Sequence, residues 1–305
     1  MRNLIISGPT ASGKSGAAMA LAKSLGNAEI ISADAFQVYK GLDIGTAKIT
    51  LEERRQVKHH LIDIMEPEET YTAGLFTTHT ENLINEIRSR GNIPIVVGGT
   101  GLYIKSLRDG IFDCPEIAPH IRIELHKRME TEGLSALYSE LCSLDPKYAS
   151  RISSNDPVRI VRALEVCIGL GITFTKAHEV YKKAPAHKYK VMVIVPDRAC
   201  LYNDINRRTE HMWNLGWPEE VEHLLNSGVS ENCPAFRAIG YKQAVSYIKN
   251  LCSKDDAVKE IAKQTRHFAK RQFTWFRGMD NIEYYPNGTE LLKEAEKFCL
   301  SGGQK

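Results

Sequence analysis

The stretch Gly8–Ser15 (GPTASGKS) constrains this chain more than any other part of the sequence. It matches the pattern G-x-x-x-x-G-K-[ST] in full, follows the apolar run Leu4–Ser7 and precedes a helical stretch that extends to about Leu25. Glycines let the backbone N–H groups of such a loop turn inward around phosphate oxygens, and the following helix N-terminus adds partial positive charge. Lys14 can reach an outer phosphate, and the Ser15 hydroxyl can bind Mg²⁺. The sequence therefore predicts a site for a diphosphate or triphosphate after the first strand.

Strand-like and helix-like segments alternate along the first third of the chain, which predicts a parallel sheet with helices on both faces. After the first strand, the β-rich runs are Glu29–Ser32, His60–Ile64, Ile93–Val97 and, much later, Lys190–Val195. Apolar residues at helical spacing mark Ala73–Arg90 as a helix. We therefore expect an α/β fold with a P-loop NTPase-like core.

A region without strand signals interrupts this pattern. Its helices are predicted at Ile121–Glu132, Leu134–Cys142 and Pro157–Ile168, the last beginning with a capping Asp156 and a proline. We expect a catalytic core formed by residues 1–113 and 187–305, interrupted by a helical insertion domain at 114–186. Helices dominate after Ala199 and end with a long basic helix near 254–277.

Composition excludes several classes of protein. With 43% hydrophobic and 25% charged residues, the chain of 305 residues is neither disordered nor collagenous, and it has no run of 18 apolar residues that could span a membrane. The seven cysteines are widely spread and contain no C-x-x-C pair, which argues against a disulfide scaffold or a zinc finger. Too few apolar residues precede the glycine loop for a signal peptide. We expect a cytoplasmic protein that does not contact a membrane.

Asp34 lies just after the predicted second strand, in the stretch Ile30–Tyr39. Because ligands bind at the carboxyl ends of strands in open α/β sheets, Asp34 is expected to face the same crevice as the phosphate loop. It could accept a proton from a nucleophile or bind Mg²⁺, whereas a lone Asp at such a position more often caps a turn. The polar loop Gly41–Lys48 at the same edge favours a site.

A phosphate loop alone leaves the reaction open. Enzymes that hydrolyse or transfer phosphoryl groups normally carry a second strand that ends in an acid, whereas here the late strand runs into Val97–Gly101 without one. A small-molecule or nucleotide kinase with a P-loop therefore remains an alternative. A non-catalytic RNA-binding protein is another, although it would leave the phosphate loop unexplained.

Several long motifs resemble those of the tRNA dimethylallyltransferases, also called tRNA isopentenyltransferases or the IPP transferase family. The similarity runs in order over about residues 3–278, and the absence of a Cys/His set for a C-terminal zinc finger favours the bacterial form. The matching segments are Gly8–Ser15, Asp34–Tyr39, Gly41–Lys48, His59–Asp63, Ile93–Tyr103, Asn155–Val166, Ala238–Gln243 and Thr265–Gly278.

The resemblance implies transfer of a dimethylallyl group from dimethylallyl diphosphate to N6 of adenosine 37, in tRNAs that read codons beginning with U. It implies that the carboxylate of Asp34 is catalytic and either accepts a proton from the exocyclic amine or hydrogen-bonds to it. It also implies that Thr100 is a second reaction-centre residue. The diphosphate would be bound by Gly8, Pro9, Thr10, Ala11, Ser12, Gly13, Lys14, Ser15 and Arg208, with Mg²⁺ at Ser15.

The resemblance also implies tRNA contacts around the anticodon stem-loop, by a chain acting as a monomer. The residues expected to contact tRNA are Asp34, Ala35, Phe36, Gln37, Thr100, Arg122, Val158, Arg159, Ile160, Val161, Arg162, Lys263, Arg266, Lys270 and Arg271. Two positions depart from the family pattern: Ala35 stands where most relatives have Ser, and Asp204 stands where the family has a first arginine before Arg208.

Charge distribution supports nucleic-acid binding where the total charge does not. The chain carries only +3, whereas residues 259–277 hold six basic side chains and one acid, Glu260, for a net +5. Lys263, Arg266 and Lys270 recur at helical spacing, so they share one face of the predicted helix. A solvated helix face is the common outcome of such a run, but its concentration beside aromatic residues favours contact with a phosphate backbone. The pair His59-His60 lacks a third ligand at suitable spacing, so we expect a strand-edge or core role and no metal.

Overall fold

The structure is a computed structural model that describes residues 2–301, so the outermost residues of the predicted core, 1 and 302–305, lie outside the described residues. The chain divides into two compact units, Met1–Arg108 with Ala186–Lys305, and Asp109–Pro185. Among the described residues, no helix is both long and apolar enough to cross a membrane.

The first unit contains a parallel sheet. Strands are numbered along the whole chain, and β5 and β6 belong to the second unit. The strands of this sheet are β1 (Arg2–Ser7), β2 (Ala28–Ser32), β3 (His59–His60), β4 (Ile93–Gly98), β7 (Lys188–Ile194) and β8 (Ile282–Tyr285). Within residues 2–301 they form one sheet in the order β3-β2-β4-β1-β7-β8, and every neighbouring pair is parallel. The predicted parallel sheet flanked by helices is confirmed.

Helices connect and cover these strands. They are α1 (Lys14–Leu25), α2 (Leu51–Gln56), α3 (Ala73–Ser89), α4 (Gly101–Asp109), α10 (Arg198–Asn214), α11 (Trp217–Asn226), α12 (Tyr241–Ile248), α13 (Lys254–Arg277) and α14 (Gly288–Ser301). Alternate strand residues face opposite sides of the sheet, so each strand contributes to two cores. One face of the sheet, which carries Ile5, Val96 and Val193, packs against α3 and against α10 to α13. The opposite face, which carries Ile6 and Ile194, packs against α1 and α14.

Two features of the sheet differ from the expectation. The predicted strand His60–Ile64 is wrong over most of its length, because Leu61 and Asp63 adopt positive φ angles of 61° and 56°, which end the extended conformation. Strand β8 was not expected at all, since only helices were predicted after Ala199. It pairs with β7 and lies at the edge of the sheet.

The paired histidines have a structural role, as expected. His60 Nε2 lies 2.6 Å from Oε2 of the buried Glu29, whose carboxylate also accepts hydrogen bonds from Arg90 and Asn92. Burial alone would raise the pKa of Glu29, but the hydrogen bonds from Asn92, Arg90 and His60 outweigh it and lower the pKa to about 2. This cluster ties the beginning of β2 to α3 and β3.

The second unit is mostly helical. Its elements are β5 (Ile111–Phe112), α5 (Pro119–Thr131), α6 (Leu134–Leu144), α7 (Pro146–Ala149), α8 (Pro157–Leu170), α9 (Phe174–Val180) and β6 (Lys182–Lys183). The two short strands pair antiparallel where the unit begins and ends. Leu125, Leu141, Leu164 and Phe174 belong to its own hydrophobic core.

Candidate active site

Three loops meet at one edge of the sheet because three neighbouring strands end there. The phosphate loop follows β1, Asp34 follows β2, and Gly99 and Thr100 follow β4. Since β4 lies between β2 and β1, two strand spacings separate Asp34 from the phosphate loop, about 10 Å. All three loops line one cavity of about 550 Å³, within the range typical of small-molecule sites.

The phosphate loop has the backbone conformation of an anion site. Ala11 and Gly13 adopt positive φ angles of 63° and 80°, which turn successive N–H groups toward one side. None of the described side chains caps the N-terminus of α1, so the N–H groups there can bind an anion. Lys14 Nζ donates to the Pro9 carbonyl at 3.1 Å and lines the cavity. Burial, followed by the nearby Arg208 charge, lowers the pKa of Lys14 to about 8, although Asp34 acts to raise it.

Asp34 has one carboxylate oxygen in a turn and the other available. Oδ1 accepts from the backbone N–H of Phe36 at 2.9 Å and of Gln37 at 3.3 Å, so the carboxylate does cap a turn. Among the described residues, Oδ2 has no hydrogen-bond partner, and Asp34 lines the cavity. The capping role and a chemical role are thus divided between the two oxygens.

Thr100 lies beside Asp34 with a directed hydroxyl. Its Oγ1 accepts from the Ala35 N–H at 3.1 Å, which ties the β4 loop to the β2 loop. Since that contact uses Oγ1 as the acceptor, its own hydrogen remains available to donate into the cavity. Ala35, the departure from the family pattern, takes part in this contact through its backbone.

Arg208 on α10 faces the same cavity. Among the described residues, its guanidinium has neither an ion-pair nor a hydrogen-bond partner, whereas the neighbouring Arg207 is exposed and pairs with Asp204 at 2.8 Å. Burial lowers the pKa of Arg208, and the charge of Asp34 counteracts this effect. Four cationic side chains, from Lys14, Arg208, Arg237 and Arg271, therefore line a cavity whose described lining contains a single carboxylate, from Asp34.

The remaining wall of the cavity is largely apolar. These side chains come from α10, from α13 and from the segment before α12; they are Ile205, Met212, Ile239, Phe268 and Trp275. Phe268 and Trp275 were not among the residues predicted at the site. A cavity lined both by cations and by aliphatic and aromatic groups can bind an anion that carries an apolar tail.

The predicted polar loop Gly41–Lys48 contributes Gly45, Thr46 and Ala47 to the cavity. Glu220 on α11 fixes this loop by accepting the backbone N–H groups of residues 43, 44 and 45, at 2.8, 2.6 and 3.2 Å. Gln37 Nε2 donates to the Thr46 and Ala47 carbonyls, both at 3.3 Å, so most of its hydrogen-bonding capacity is used within the protein. Gln37 thus forms part of the wall of the cavity.

Among the polar and charged residues that sequence reasoning did not place at this site are Arg237 and Gln272. Arg237 lines the cavity from the short 3₁₀ turn Ala235–Arg237. Gln272 lines it from α13 and bonds to both the phosphate loop and the β4 loop. The motif around Gln272 was noted as similar to the family's, but nothing in helical spacing marks a glutamine beside apolar residues as part of a site.

The basic residues of α13 are divided between the solvent and local contacts. Lys270 and Arg271 are exposed, and within the described part of the chain neither has an ion-pair partner. Lys263 pairs with Glu260 at 3.1 Å, and Arg266 hydrogen-bonds to Asn206. Arg271 also lines the cavity, so the basic face extends to the mouth of the site.

The candidate tRNA residues of the second unit have different environments. Val158 and Arg159 are exposed, whereas Arg122 and Arg162 hydrogen-bond to the buried Glu165 at 2.9 and 2.8 Å. Side-chain contacts from two further candidates, Ile160 and Val161, were predicted wrongly. Both side chains are buried in the core of this unit, where they stabilise α8 and cannot reach an RNA.

A magnesium ion fits this site only with help from a ligand. Among residues 2–301, no group of three or more His, Cys, Asp or Glu side chains could bind a metal alone. Ser15 and Asp34 both line the cavity, and Mg²⁺ is commonly bound by one or two protein groups together with phosphate oxygens and water. The donor set therefore suits a metal that arrives with a diphosphate.

Comparisons with known proteins agree with this geometry. A family model described as IPP transferase matches residues 37–279. The tRNA dimethylallyltransferase of Geobacter sulfurreducens is 43% identical over 300 residues, covering 97% of this chain and 96% of the relative.

Solved structures show the same likeness. The full-length tRNA isopentenylpyrophosphate transferase of Bacillus halodurans superposes with a TM-score of 0.71 at 34% identity, covering 98% of this chain and 96% of that one. A eukaryotic dimethylallyltransferase acting on tRNA superposes with a TM-score of 0.77 at 26% identity, over 90% of this chain and 69% of that chain.

Proposed function

This chain belongs to the IPP transferase family and is a tRNA prenyltransferase, and we propose that it transfers a dimethylallyl group to N6 of adenosine 37 in tRNAs reading codons that begin with U. The observation that carries the proposal is the convergence of the phosphate loop, the Thr100 hydroxyl and the Asp34 carboxylate in one cavity. We further propose that the chain acts as a monomer in the cytoplasm.

The phosphate loop binds the diphosphate of dimethylallyl diphosphate. Backbone N–H groups of residues 13–15 at the start of α1 and the charges of Lys14 and Arg208 surround the diphosphate, and the apolar side chains accommodate the five-carbon tail. This assignment explains why no acid follows β4: the diphosphate is a leaving group and no phosphoryl group is transferred. Stabilising negative charge on the departing diphosphate lowers the barrier to breaking the carbon–oxygen bond.

The Thr100 hydroxyl donates to the oxygen that bridges the allylic carbon and the diphosphate. Its Oγ1 is oriented by the Ala35 N–H, so the donor direction is set before the substrate binds. As the carbon–oxygen bond breaks, N6 of adenine forms a bond to the allylic carbon and pyrophosphate leaves.

Asp34 receives the proton that N6 loses. Its Oδ1 is fixed by two backbone N–H groups, which leaves Oδ2 to accept from the exocyclic amine. An aromatic amine is a weak nucleophile, so a positioned base contributes to its attack. The adenine must leave the anticodon-loop stack to reach this cavity, as in other enzymes that modify bases.

Magnesium, when bound, neutralises charge on the diphosphate oxygens. Ser15 is the residue that would hold it, together with the donor's own oxygens and water.

Basic side chains on α13 and α8 contact the tRNA backbone. On α13 these are Lys270 and Arg271, with Lys263 and Arg266 beside them; on α8 they are Arg159 and Arg162. Phosphate contacts of this type position the anticodon stem-loop without reading its sequence.

Labelled dimethylallyl diphosphate, unmodified tRNA and ATP labelled at the γ-phosphate test this function against the kinase alternative. We expect label from the dimethylallyl group in tRNA, with the γ-phosphate unchanged. Consumption of the γ-phosphate without prenyl label in tRNA would contradict the proposal, and tRNA binding with neither reaction would indicate a non-catalytic RNA-binding protein.

A further inference from the structure

Gln272 on α13 connects two loops of the candidate site. Its Oε1 accepts from the Thr10 N–H of the phosphate loop at 2.9 Å, and its Nε2 donates to the Gly99 carbonyl of the β4 loop at 2.8 Å. The side chain is only 6% exposed. Both ends of one buried amide therefore bond to loops that are far apart in sequence and carry different parts of the reaction.

The side-chain amide of Gln272 and the backbone of Gly99 are in close contact. A Cβ atom built on Gly99 would lie 2.5 Å from Gln272 Nε2, so a side chain at residue 99 would displace the amide from its present position. Thr100, whose hydroxyl lines the cavity, is the next residue. A shift of Gln272 would move the phosphate loop and the Thr100 hydroxyl relative to each other.

We infer that Gln272 is a positioning residue, which sets the distance between the bound diphosphate and the Thr100 hydroxyl. The inference rests on the proposed binding of the donor diphosphate to the phosphate loop. Gln272 does not touch the transferred group. It acts through Thr10 and Gly99, so its loss lowers the rate of transfer more than the affinity for tRNA.

Two substitutions at this position separate positioning from packing. Gln272→Met keeps the approximate size of the side chain but removes both hydrogen bonds, leaving the Thr10 N–H and the Gly99 carbonyl unpaired. Gln272→Glu can replace the amide only while its carboxyl is protonated, since the C=O then accepts from Thr10 and the O–H donates to Gly99. Once ionised, the carboxylate repels the Gly99 carbonyl and the diphosphate.

The matched control is Gln264→Met, on the same helix. Gln264 Nε2 donates to Glu260 within one turn of α13, at 3.0 Å, and it does not line the cavity. This variant should keep kcat and both KM values within twofold of the wild type.

The experiment measures kcat and KM for dimethylallyl diphosphate and tRNA over a range of pH, with the binding of inorganic pyrophosphate by calorimetry. For Gln272→Met we expect kcat to fall at least about tenfold, since small misplacements of reacting groups have large effects on rate. KM for tRNA should stay within twofold. For Gln272→Glu, kcat relative to the wild type should rise as the pH is lowered, a profile that Gln272→Met should not show.

Three results would overturn the inference. One is an unchanged kcat in Gln272→Met, and another is an equal rise of both KM values with a lowered melting temperature, which indicates a general loss of structure. If Gln272→Met does not fold, the pH profile of Gln272→Glu decides, and a flat ratio to the wild type contradicts positioning. Failure of the wild type to bind pyrophosphate would instead contradict the proposed function itself.

Discussion

Asp34→Asn is the substitution that isolates the chemical role of the candidate base. Asparagine keeps an oxygen that can accept from the Phe36 and Gln37 N–H groups, at present 2.9 and 3.3 Å from Oδ1, so the turn after β2 is preserved. The change replaces the available oxygen, Oδ2, with an NH₂ group that cannot accept a proton. Asp34→Ala would remove the turn as well, and its effect would be harder to assign.

The expected loss follows from general-base catalysis. Removing a positioned base lowers rates by about 10²–10⁴-fold, which corresponds to roughly 3–5 kcal/mol of activation free energy. The affinity for pyrophosphate should move in the other direction. Over about 10 Å and an effective dielectric constant of about 20, removing one negative charge relieves about 1.7 kcal/mol of repulsion for each unit of negative charge on the ligand. Pyrophosphate should therefore bind at least as tightly to Asp34→Asn as to the wild type, and roughly fifteenfold or more tightly where this repulsion acts in full.

Single-turnover transfer of label and calorimetric binding of pyrophosphate measure these two effects separately. Asp204→Asn is the control, because Asp204 is partly exposed and, within residues 2–301, pairs only with Arg207 on the same helix. A transfer rate of Asp34→Asn within threefold of the wild type would refute the role of Asp34 as base. Loss of pyrophosphate binding in a folded Asp34→Asn variant would show that the carboxylate serves donor binding instead.

Four further perturbations test the donor site, the tRNA surface and the fold. Because Lys14 is charged below its pKa of about 8, the affinity for inorganic pyrophosphate should fall as the pH rises through 8, and a constant affinity from pH 7 to pH 9 would argue against Lys14 as a ligand. Arg208→Met should raise KM for the donor about ten- to a hundredfold, the loss expected for a charge-assisted hydrogen bond, whereas the exposed Arg207→Met should leave it unchanged. Lys270→Ala should weaken tRNA binding and lower the slope of log K against log salt by about one, and an unaltered slope would remove Lys270 from the interface. Glu29→Gln should lower the free energy of unfolding by up to about 3 kcal/mol at neutral pH, because hydrogen bonds hold the pKa of Glu29 at about 2 in the folded state. Since the folded-state pKa lies below the unfolded one, this difference should shrink as the pH falls from about 5 to 2, and a difference independent of pH would contradict the assignment.

Local signals in the sequence predicted the part of the site that depends on strand ends. The phosphate loop and Asp34 each follow a buried strand, and parallel strands bring such residues to one edge whatever their distance along the chain. Thr100, which only the resemblance to the family indicated, follows β4 at the same edge. The Gly41–Lys48 loop was placed correctly at that edge for the same reason.

Residues whose role depends on packing between distant segments could not be predicted in this way. Glu220 looks like a solvated helix acid, yet it accepts three backbone N–H groups from a loop about 175 residues earlier. Gln272 is one polar residue in a mixed helix until α13 is placed against the phosphate loop. Strand β8 has only four residues, which is too short for a recognisable sequence pattern, and it forms because the edge of β7 is available for pairing.

The most direct test of the account identifies the modified nucleoside and the product that leaves. Wild-type protein is incubated with dimethylallyl diphosphate and unmodified tRNA, the tRNA is digested, and the labelled nucleoside is mapped by mass spectrometry while released pyrophosphate is counted. We predict one dimethylallyl group on N6 of adenosine 37 and one pyrophosphate for each group transferred, without inorganic phosphate. A prenyl group on another atom or nucleotide, or phosphate release in place of pyrophosphate, would contradict the central claim that the phosphate loop binds a leaving group beside the base Asp34.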